Sequence, residues 1–263
     1  MGSNNTVTHE NEYHDNMVTM LELIWGEGYM APGGPGNVAR LLDGTKPRGK
    51  RILDIGCGIG GPALEMVRSH DAEVVGIDLE HPLIDRARAS AHRFGMAGQC
   101  SFQTVEIGPL PFANETFDIV VSSGALTQTD DKASLLGEAY RVLRPGGHMT
   151  CYEWMRSDAE LSDDMRYWFR MEELTYEMQT LEQFGRHFEN AGFVEVKTTD
   201  ASDWYREEAR REYELIKGSL YDKMVELLGS DSAEHFVEDW RAMVVVCDSG
   251  EMRQGYCRGR RPG

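Results

Sequence analysis

The chain lacks the features that mark membrane, secreted and metal-clustered proteins. No apolar run reaches the roughly 18 residues of a membrane helix, and the polar start of the chain has no signal-peptide core. The 5 cysteines are scattered, odd in number and without a C-x-x-C pair, which excludes a disulfide scaffold or a zinc module. We therefore expect a cytoplasmic protein with no membrane partner and no metal.

Basic residues are also scarce. There are 27 Lys and Arg against 44 Asp and Glu, and the net charge is −17. Such a surface repels phosphate backbones, so we expect no nucleic-acid partner. The apolar share of 41% is enough for a true core. The expected partner is a small molecule, and the chain is expected to be a monomer or a homodimer.

Apolar strands alternate with helical segments through the middle of the chain. The predicted strands are 51–55, 73–78, 100–105, 116–122 and 148–154, and helices are predicted at 62–69, 82–94 and 132–143. This alternation indicates parallel βαβ units. We predict an α/β fold with a doubly wound, mostly parallel sheet that has helices on both faces.

Helical segments flank that core on both sides. Residues 1–49 are predicted to be an N-terminal helical cap, with helices at about 16–24 and 36–42. Residues 50–263 are predicted to form the main domain, with helical insertions at about 156–190 and 204–246 that act as lids. The second insertion lies between strand 194–198 and a last strand at about 252–258.

The segment Asp54-x-Gly56-x-Gly58-x-Gly60 joins the first strand to the first core helix. Glycines at such a corner let the backbone approach a nucleotide, and dinucleotide enzymes use a similar pattern. Asp54 is badly placed for a pyrophosphate, however, and suits an ammonium or a sulfonium. Asp78 ends the second strand, where a carboxylate can accept both ribose hydroxyls. S-adenosyl-L-methionine meets both conditions because it has a ribose, a positive charge and no phosphate.

Residues downstream complete the pattern. Glu106 and Ile107 follow the third strand, where a carboxylate can accept from the adenine amino group and an apolar side chain can pack on the ring. With the run Leu143-Arg144-Pro145-Gly146-Gly147, the set resembles the class I S-adenosylmethionine-dependent methyltransferases, which have a Rossmann-like fold. The resemblance implies that the cofactor contacts Asp54, Gly56, Cys57, Gly58, Gly60, Asp78, Leu79, Glu106, Ile107 and Ser122.

The segment before the core carries a narrower resemblance. Tyr13, the run Leu21–Tyr29 and Gly255-Tyr256 near the end are similar to phosphoethanolamine N-methyltransferases and to sarcosine/dimethylglycine methyltransferases. The resemblance implies an N-terminal segment that closes over the cofactor. It adds Tyr29, Met30 and Ala31 to the cofactor-binding residues and makes Tyr13 the catalytic tyrosine.

The chain departs from that family where the acceptor is held. Gly124 and Gln128 stand where the family has an Asp and a His, and Trp154 replaces a tyrosine after the fifth strand. Of the family's phosphate-holding groups only Tyr176 matches, with Arg170 nearby. The catalytic candidates are therefore Tyr13 and Gln128, and the candidate substrate-binding residues are Gly124, Trp154, Arg170 and Tyr176.

Several functions fit these residues. The first is methyl transfer to the nitrogen of a small amine or amino acid. The alternative is S-methylation of a small thioether acid, because a thioether needs no base and the family's Asp and His are absent. A dinucleotide-dependent oxidoreductase is disfavoured by Asp54. A protein that binds the cofactor without catalysis is the remaining possibility.

Overall fold

Seven strands form one sheet in the computed structural model, which describes residues 15–172 and 176–263. The strand order is β3-β2-β1-β4-β5-β7-β6, and β7 runs antiparallel between β5 and β6 while the other pairs are parallel. The strands are β1 Arg51–Ile55, β2 Glu73–Asp78, β3 Cys100–Thr104, β4 Phe117–Ser123, β5 Leu143–Arg156, β6 Val194–Asp200 and β7 Met252–Arg260. The predicted doubly wound, mostly parallel sheet is confirmed.

Ten α-helices lie within the described residues, together with a 3-10 turn at Leu126–Gln128. The helices are α1 Asp15–Trp25, α2 Gly34–Leu42, α3 Gly61–His70, α4 His81–Arg93, α5 Lys132–Val142, α6 Asp163–Glu172, α7 Leu181–Asn190, α8 Ser202–Lys217, α9 Tyr221–Leu228 and α10 Ser230–Asp248. None of these helices is long and apolar enough to cross a membrane.

Both faces of the sheet are buried, as the apolar strands require. In β1, Ile52 packs on one face with residues of α2, α3 and α4. Leu53 and Ile55 pack on the other face with residues of α5 and α7. Because side chains alternate along a strand, Asp54 lies on the same face as Ile52. Beside the sheet, α1, α6 and α8–α10 pack into a separate apolar cluster, and we call these five helices the helical cap.

The first predicted insertion, 156–190, contains two helices with different roles. α6 packs against α10 and belongs to the cap. α7 differs from the prediction of a lid, because Phe184 and Phe188 pack with the sheet and the helix contacts β6 and β7. The two phenylalanines are four residues apart and therefore lie on one side of α7, as expected for a helix that packs on a sheet.

The second predicted insertion, 204–246, is three helices instead of one long stretch. Gly218 ends α8, and Gly229 stands between α9 and α10 at a φ of +84°. These helices pack with α1 and α6 into a third apolar cluster beside the sheet. β7 then returns to the sheet, so the cap is tied to the carboxyl end of β5.

Candidate functional site

The glycine turn between β1 and α3 lies at the carboxyl edge of the sheet. The N–H groups of Gly56 and Cys57 both donate to the Ile77 carbonyl of β2, at 2.8 and 3.0 Å. Gly60 has a φ of +87°, and a Cβ there would lie 2.9 Å from the Phe102 ring, so only glycine fits. α3 begins directly after the turn, and the turn is therefore held rigidly at a helix N-terminus.

Asp54 lies beside this turn near the end of β1. Its side chain is buried, and its Oδ2 atom has no hydrogen-bond partner among the described residues. Burial, together with the nearby Asp78 carboxylate, raises the pKa of Asp54 to about 8. A buried carboxylate without a partner is costly, and a positively charged ligand group would offset that cost.

Asp78 ends the neighbouring strand and touches the same turn. Its Oδ2 accepts the Gly58 N–H at 2.8 Å, and its Oδ1 accepts the Glu80 N–H at 3.1 Å. Burial raises the pKa of Asp78 despite these bonds. Among the described residues, no cationic side chain lowers the pKa of Asp54 or Asp78. The edge is thus acidic and suits a cation better than a phosphate.

Two exposed apolar side chains flank this acidic edge. Leu79 follows β2 and is 43% exposed, and Ile107 follows β3 and is 77% exposed. β2 and β3 are parallel neighbours, with Asp78 opposite Thr104, so both side chains stand at the same edge. Glu106, beside Ile107, is also exposed. Uncovered apolar side chains of this kind provide a surface for a flat ring.

The loop after α1 docks on the glycine turn. The Gly61 N–H donates to the Gly28 carbonyl at 2.9 Å, and a methyl group on Gly61 would overlap that carbonyl. The Met30 sulfur lies 3.1 Å from where a Cβ on the central glycine of the turn would stand. Tyr29 and Ala31 line a small pocket next to the start of α3. The structure thus brings the three predicted cap residues to the turn.

A buried carboxylate that the sequence did not single out organises the end of β4. Glu153 of β5 is buried, and its Oε2 accepts both the N–H and the hydroxyl of Thr127 at 3.0 Å. The Ser122 hydroxyl donates to its Oε1 at 3.4 Å. Burial raises the pKa of Glu153 to about 7. Glu153 therefore holds the turn that carries Gly124 and Gln128, and a glutamate inside the apolar run 149–155 was the available signal.

Trp154 and Tyr176, two predicted substrate-binding residues, lie together. The Trp154 ring centroid is 5.7 Å from those of Trp168 and Tyr176 and 6.1 Å from that of Tyr205. We call these four residues the aromatic cluster. It lies at the carboxyl end of β5, where the helical cap meets the sheet.

Two other predicted residues are not brought to this cluster. Arg170 is exposed, and its guanidinium carbon lies 5.7 Å from the centroid of the Tyr167 ring on the outer face of α6. Tyr167 in turn donates to Glu238 at 2.7 Å. Arg170 therefore adds no positive charge to the aromatic cluster, because it lies on the opposite side of its helix from Trp168. Tyr13 lies outside the described residues.

Comparison with known sequences places these features in a family. The family described as "Methyltransferase domain" matches residues 46–211. The chain is 26% identical to phosphoethanolamine N-methyltransferase 3 of Arabidopsis thaliana over 246 residues, which cover 93% of this chain and 49% of that protein. It is 33% identical to a sterol 24-C-methyltransferase of Aspergillus fumigatus over 168 residues, which cover 60% of this chain and 45% of that one. The chain spans about half the length of these curated relatives.

Solved structures agree on the fold. A phosphoethanolamine N-methyltransferase 2 of Haemonchus contortus, in complex with phosphomonomethylethanolamine and S-adenosylhomocysteine, superposes with a TM-score of 0.88 at 22% identity and covers 96% of this chain and 59% of that one. A protein described as a sarcosine dimethylglycine methyltransferase of Galdieria sulphuraria superposes with a TM-score of 0.81 at 18% identity and covers 94% of this chain and 97% of that one. At these identities the similarity establishes the shared fold.

Proposed function

The chain belongs to the methyltransferase-domain family, and from this premise we propose that it transfers a methyl group from S-adenosylmethionine to the nitrogen of a small amine or amino acid. The observation that carries the proposal is the pair of carboxylates at the glycine turn, the buried Asp54 and the half-buried Asp78. A dinucleotide would bring a pyrophosphate to this acidic edge, so the oxidoreductase alternative is disfavoured.

The residues at the edge match the parts of the cofactor. Asp54 has an unpartnered oxygen for the ammonium, and Asp78 can accept from the ribose hydroxyls. Leu79 and Ile107 offer apolar surface to the adenine, while the loop at Met30 shields the turn from water. S-adenosylmethionine supplies a methyl group on a positively charged sulfur.

The acceptor must present a free lone pair in line with that methyl group. In this proposal the turn held by Glu153 positions Gln128, and Tyr13 is the second catalytic residue. Gly124 has no side chain and leaves room for the acceptor next to Gln128. Water exclusion and alignment are the main contributions expected of these residues.

S-methylation of a thioether acid is the second candidate. The observation in its favour is Gln128, because a neutral carboxamide cannot take the proton that an ammonium must lose. A thioether has a lone pair at any pH and needs no base. The two candidates therefore differ in the acceptor atom and share the cofactor site.

A screen of acceptors by mass spectrometry tests the proposal. The full chain is incubated with S-adenosylmethionine and either a panel of small amines or a panel of thioether acids. We expect a gain of one methyl mass on an amine, with no gain when cofactor or protein is omitted. Gain on thioethers alone would replace the nitrogen proposal with the sulfur one. Calorimetry without any binding of S-adenosylhomocysteine would contradict both.

A further inference from the structure

Two carboxylates lie next to the aromatic cluster in the helical cap. Glu172 ends α6, and its Oε2 accepts the Tyr176 hydroxyl at 2.9 Å. Asp239 lies on α10 and is 7% exposed, and its Oδ1 has no hydrogen-bond partner among the described residues. Each carboxylate has a raised pKa, mainly through burial, and that of Glu172 is about 7. The two groups act on each other, since the charge of Glu172 also raises the pKa of Asp239.

No described cation neutralises this pair. Basic side chains on the same helices are engaged elsewhere: Arg241 pairs with Glu238 at 2.6 Å, Arg170 is exposed over Tyr167, and the His235 Nε2 atom is bonded to the Met171 carbonyl at 2.8 Å. A carboxylate in such surroundings, half-buried at Glu172 and buried at Asp239, is costly to ionise without a counterion and tends to hold its proton. Such a pair is explained when a ligand supplies the missing positive charge.

Neutral polar groups at the same place also lack partners. Gln254 of β7 is 1% exposed, and neither its Oε1 nor its Nε2 has a hydrogen-bond partner among the described residues. Gln254 lies opposite Trp154 in the β5–β7 pairing, so both side chains leave the sheet on the same face. The indole N–H of Trp168, a fully buried ring of the cluster, acts on the two carboxylates and lowers the pKa of both Glu172 and Asp239. Buried polar groups are normally paired, so the unpartnered Gln254 amide and Asp239 Oδ1 indicate a polar ligand.

The cluster adjoins the turn that carries the predicted acceptor residues. The Thr127 hydroxyl accepts the Trp154 N–H at 3.2 Å, and the Glu177 N–H donates to the Thr127 carbonyl at 2.9 Å. Thr127 immediately precedes Gln128 in the 3-10 turn. A ligand held at the aromatic cluster is therefore adjacent to the proposed site of methyl transfer.

Aromatic faces with carboxylates are the groups that recognise an ammonium, including a methylated one. We propose that Glu172 and Asp239, with the aromatic cluster, bind the positively charged group of the acceptor, and that the acceptor is a cationic amine without a phosphate. This inference rests on the proposed function and names its substrate class. A phosphate would meet two carboxylates here, with no described Lys or Arg beside them to hold it.

Calorimetry on the unaltered full chain tests the class of ligand. With S-adenosylhomocysteine saturating, the protein is titrated with tetramethylammonium, ethanolamine, choline and phosphocholine. We expect at least one of the three monocations, tetramethylammonium, ethanolamine and choline, to bind. Choline should bind at least tenfold more tightly than phosphocholine, which differs from it by a phosphate group. Absence of amine binding to a protein that binds S-adenosylhomocysteine, or tighter binding of phosphocholine, overturns the inference and leaves the proposed function standing. Failure to bind S-adenosylhomocysteine counts against the proposed function instead.

Neutral variants test the residues. Glu172→Gln and Asp239→Asn keep shape and remove charge, so we expect each to weaken amine binding at least tenfold and to leave the affinity for S-adenosylhomocysteine within about twofold. Glu238→Gln is the matched control, because this residue precedes Asp239 on α10 but pairs with Arg241 at the outer face; its amine affinity should stay within about twofold. Wild-type amine affinity in both cluster variants contradicts the assignment.

Discussion

At the residue scale, Asp54 decides which ligands the glycine turn can accept. Its carboxyl is buried with one oxygen unpartnered, and Asp78 adds a second negative charge at the same turn. Burial, and to a smaller extent repulsion from the Asp78 charge, raises the pKa of Asp54 in the free protein to about 8. A ligand ammonium next to Asp54 would lower this pKa again and favour the ionised form of the carboxylate.

Cofactor binding should consequently depend on pH. Below pH 8 the free protein carries a proton on Asp54 that an incoming ammonium must displace, so the affinity for S-adenosylhomocysteine should fall as the pH falls from 8 to 6, by up to about tenfold per pH unit. Calorimetry across this range measures it. Asp54→Asn should remove the pH dependence and weaken binding at pH 8, whereas Asp85→Asn on the exposed face of α4 should keep the wild-type profile. A flat profile for the wild type would contradict the role of Asp54.

The sequence predicts the acidic residues of the cofactor site but not those beside the aromatic cluster. Asp54 and Asp78 could be found because they stand at strand ends next to glycines, a local pattern. Glu172, Asp239 and Gln254 could not, since their significance comes from the surroundings that the packing of α6, α10 and β7 gives them. Burial of a polar residue in a helix is a tertiary property that spacing alone does not reveal.

At the scale of elements, the contact between the cap loop and the start of α3 couples the cap to the cofactor site. Gly28 and Gly61 approach so closely that neither can carry a side chain without moving the other. Glu22 of α1 supports the loop by accepting the Gly28 N–H at 2.8 Å and by pairing with Arg86 of α4 at 2.8 Å. The cap is thus attached to the turn through backbone contacts.

Gly61→Ala should break this attachment. The added methyl group overlaps the Gly28 carbonyl, so we expect a loss of about 1–3 kcal/mol in the free energy of unfolding and weaker binding of S-adenosylhomocysteine. Chemical denaturation and calorimetry measure the two effects. The control is Gly36→Ala in α2, where a Cβ meets nothing within 4 Å; alanine there should leave binding unchanged and stabilise the helix slightly. Equal behaviour of the two variants would refute the coupling.

The elements themselves were largely predictable. β1 and β2 begin and end at the predicted residues, because short apolar runs bounded by turn residues leave little choice. The helices of the cap were harder, because the insertion 204–246 was predicted only as a helical stretch and Gly218 and Gly229 divide it into three helices. α7 falls within the insertion 156–190 that was predicted as a lid, and its two buried phenylalanines, Phe184 and Phe188, place it on the sheet instead.

At the scale of the whole molecule, the acidic surface favours a cationic ligand. With a net charge of −17 the protein raises the local concentration of cations around its surface. The proposed binding sites favour cations as well. Asp54 would bind the ammonium of the methyl donor, and Glu172 and Asp239 would bind the positively charged group of the acceptor. Long-range and local electrostatics thus act in the same direction.

Added salt should therefore weaken the binding of a cationic acceptor. Raising the ionic strength from 0.1 to 1 M shortens the Debye length from about 10 to about 3 Å. We expect the KM for a cationic amine to rise severalfold in steady-state assays while kcat changes little, because screening removes attraction and leaves the transfer step intact. A KM that falls with salt would indicate an anionic acceptor and contradict this account.

The most direct test of nitrogen methylation uses S-adenosylmethionine with a ¹³C-labelled methyl group. The full chain is incubated with the labelled cofactor and an amine from the acceptor screen, and NMR then identifies the atom that carries the label. The account predicts a labelled methyl on nitrogen, formed together with S-adenosylhomocysteine and absent with the Asp78→Ala variant at a limiting cofactor concentration. A label on sulfur or carbon, or label that stays on the cofactor with every amine tested, would contradict it.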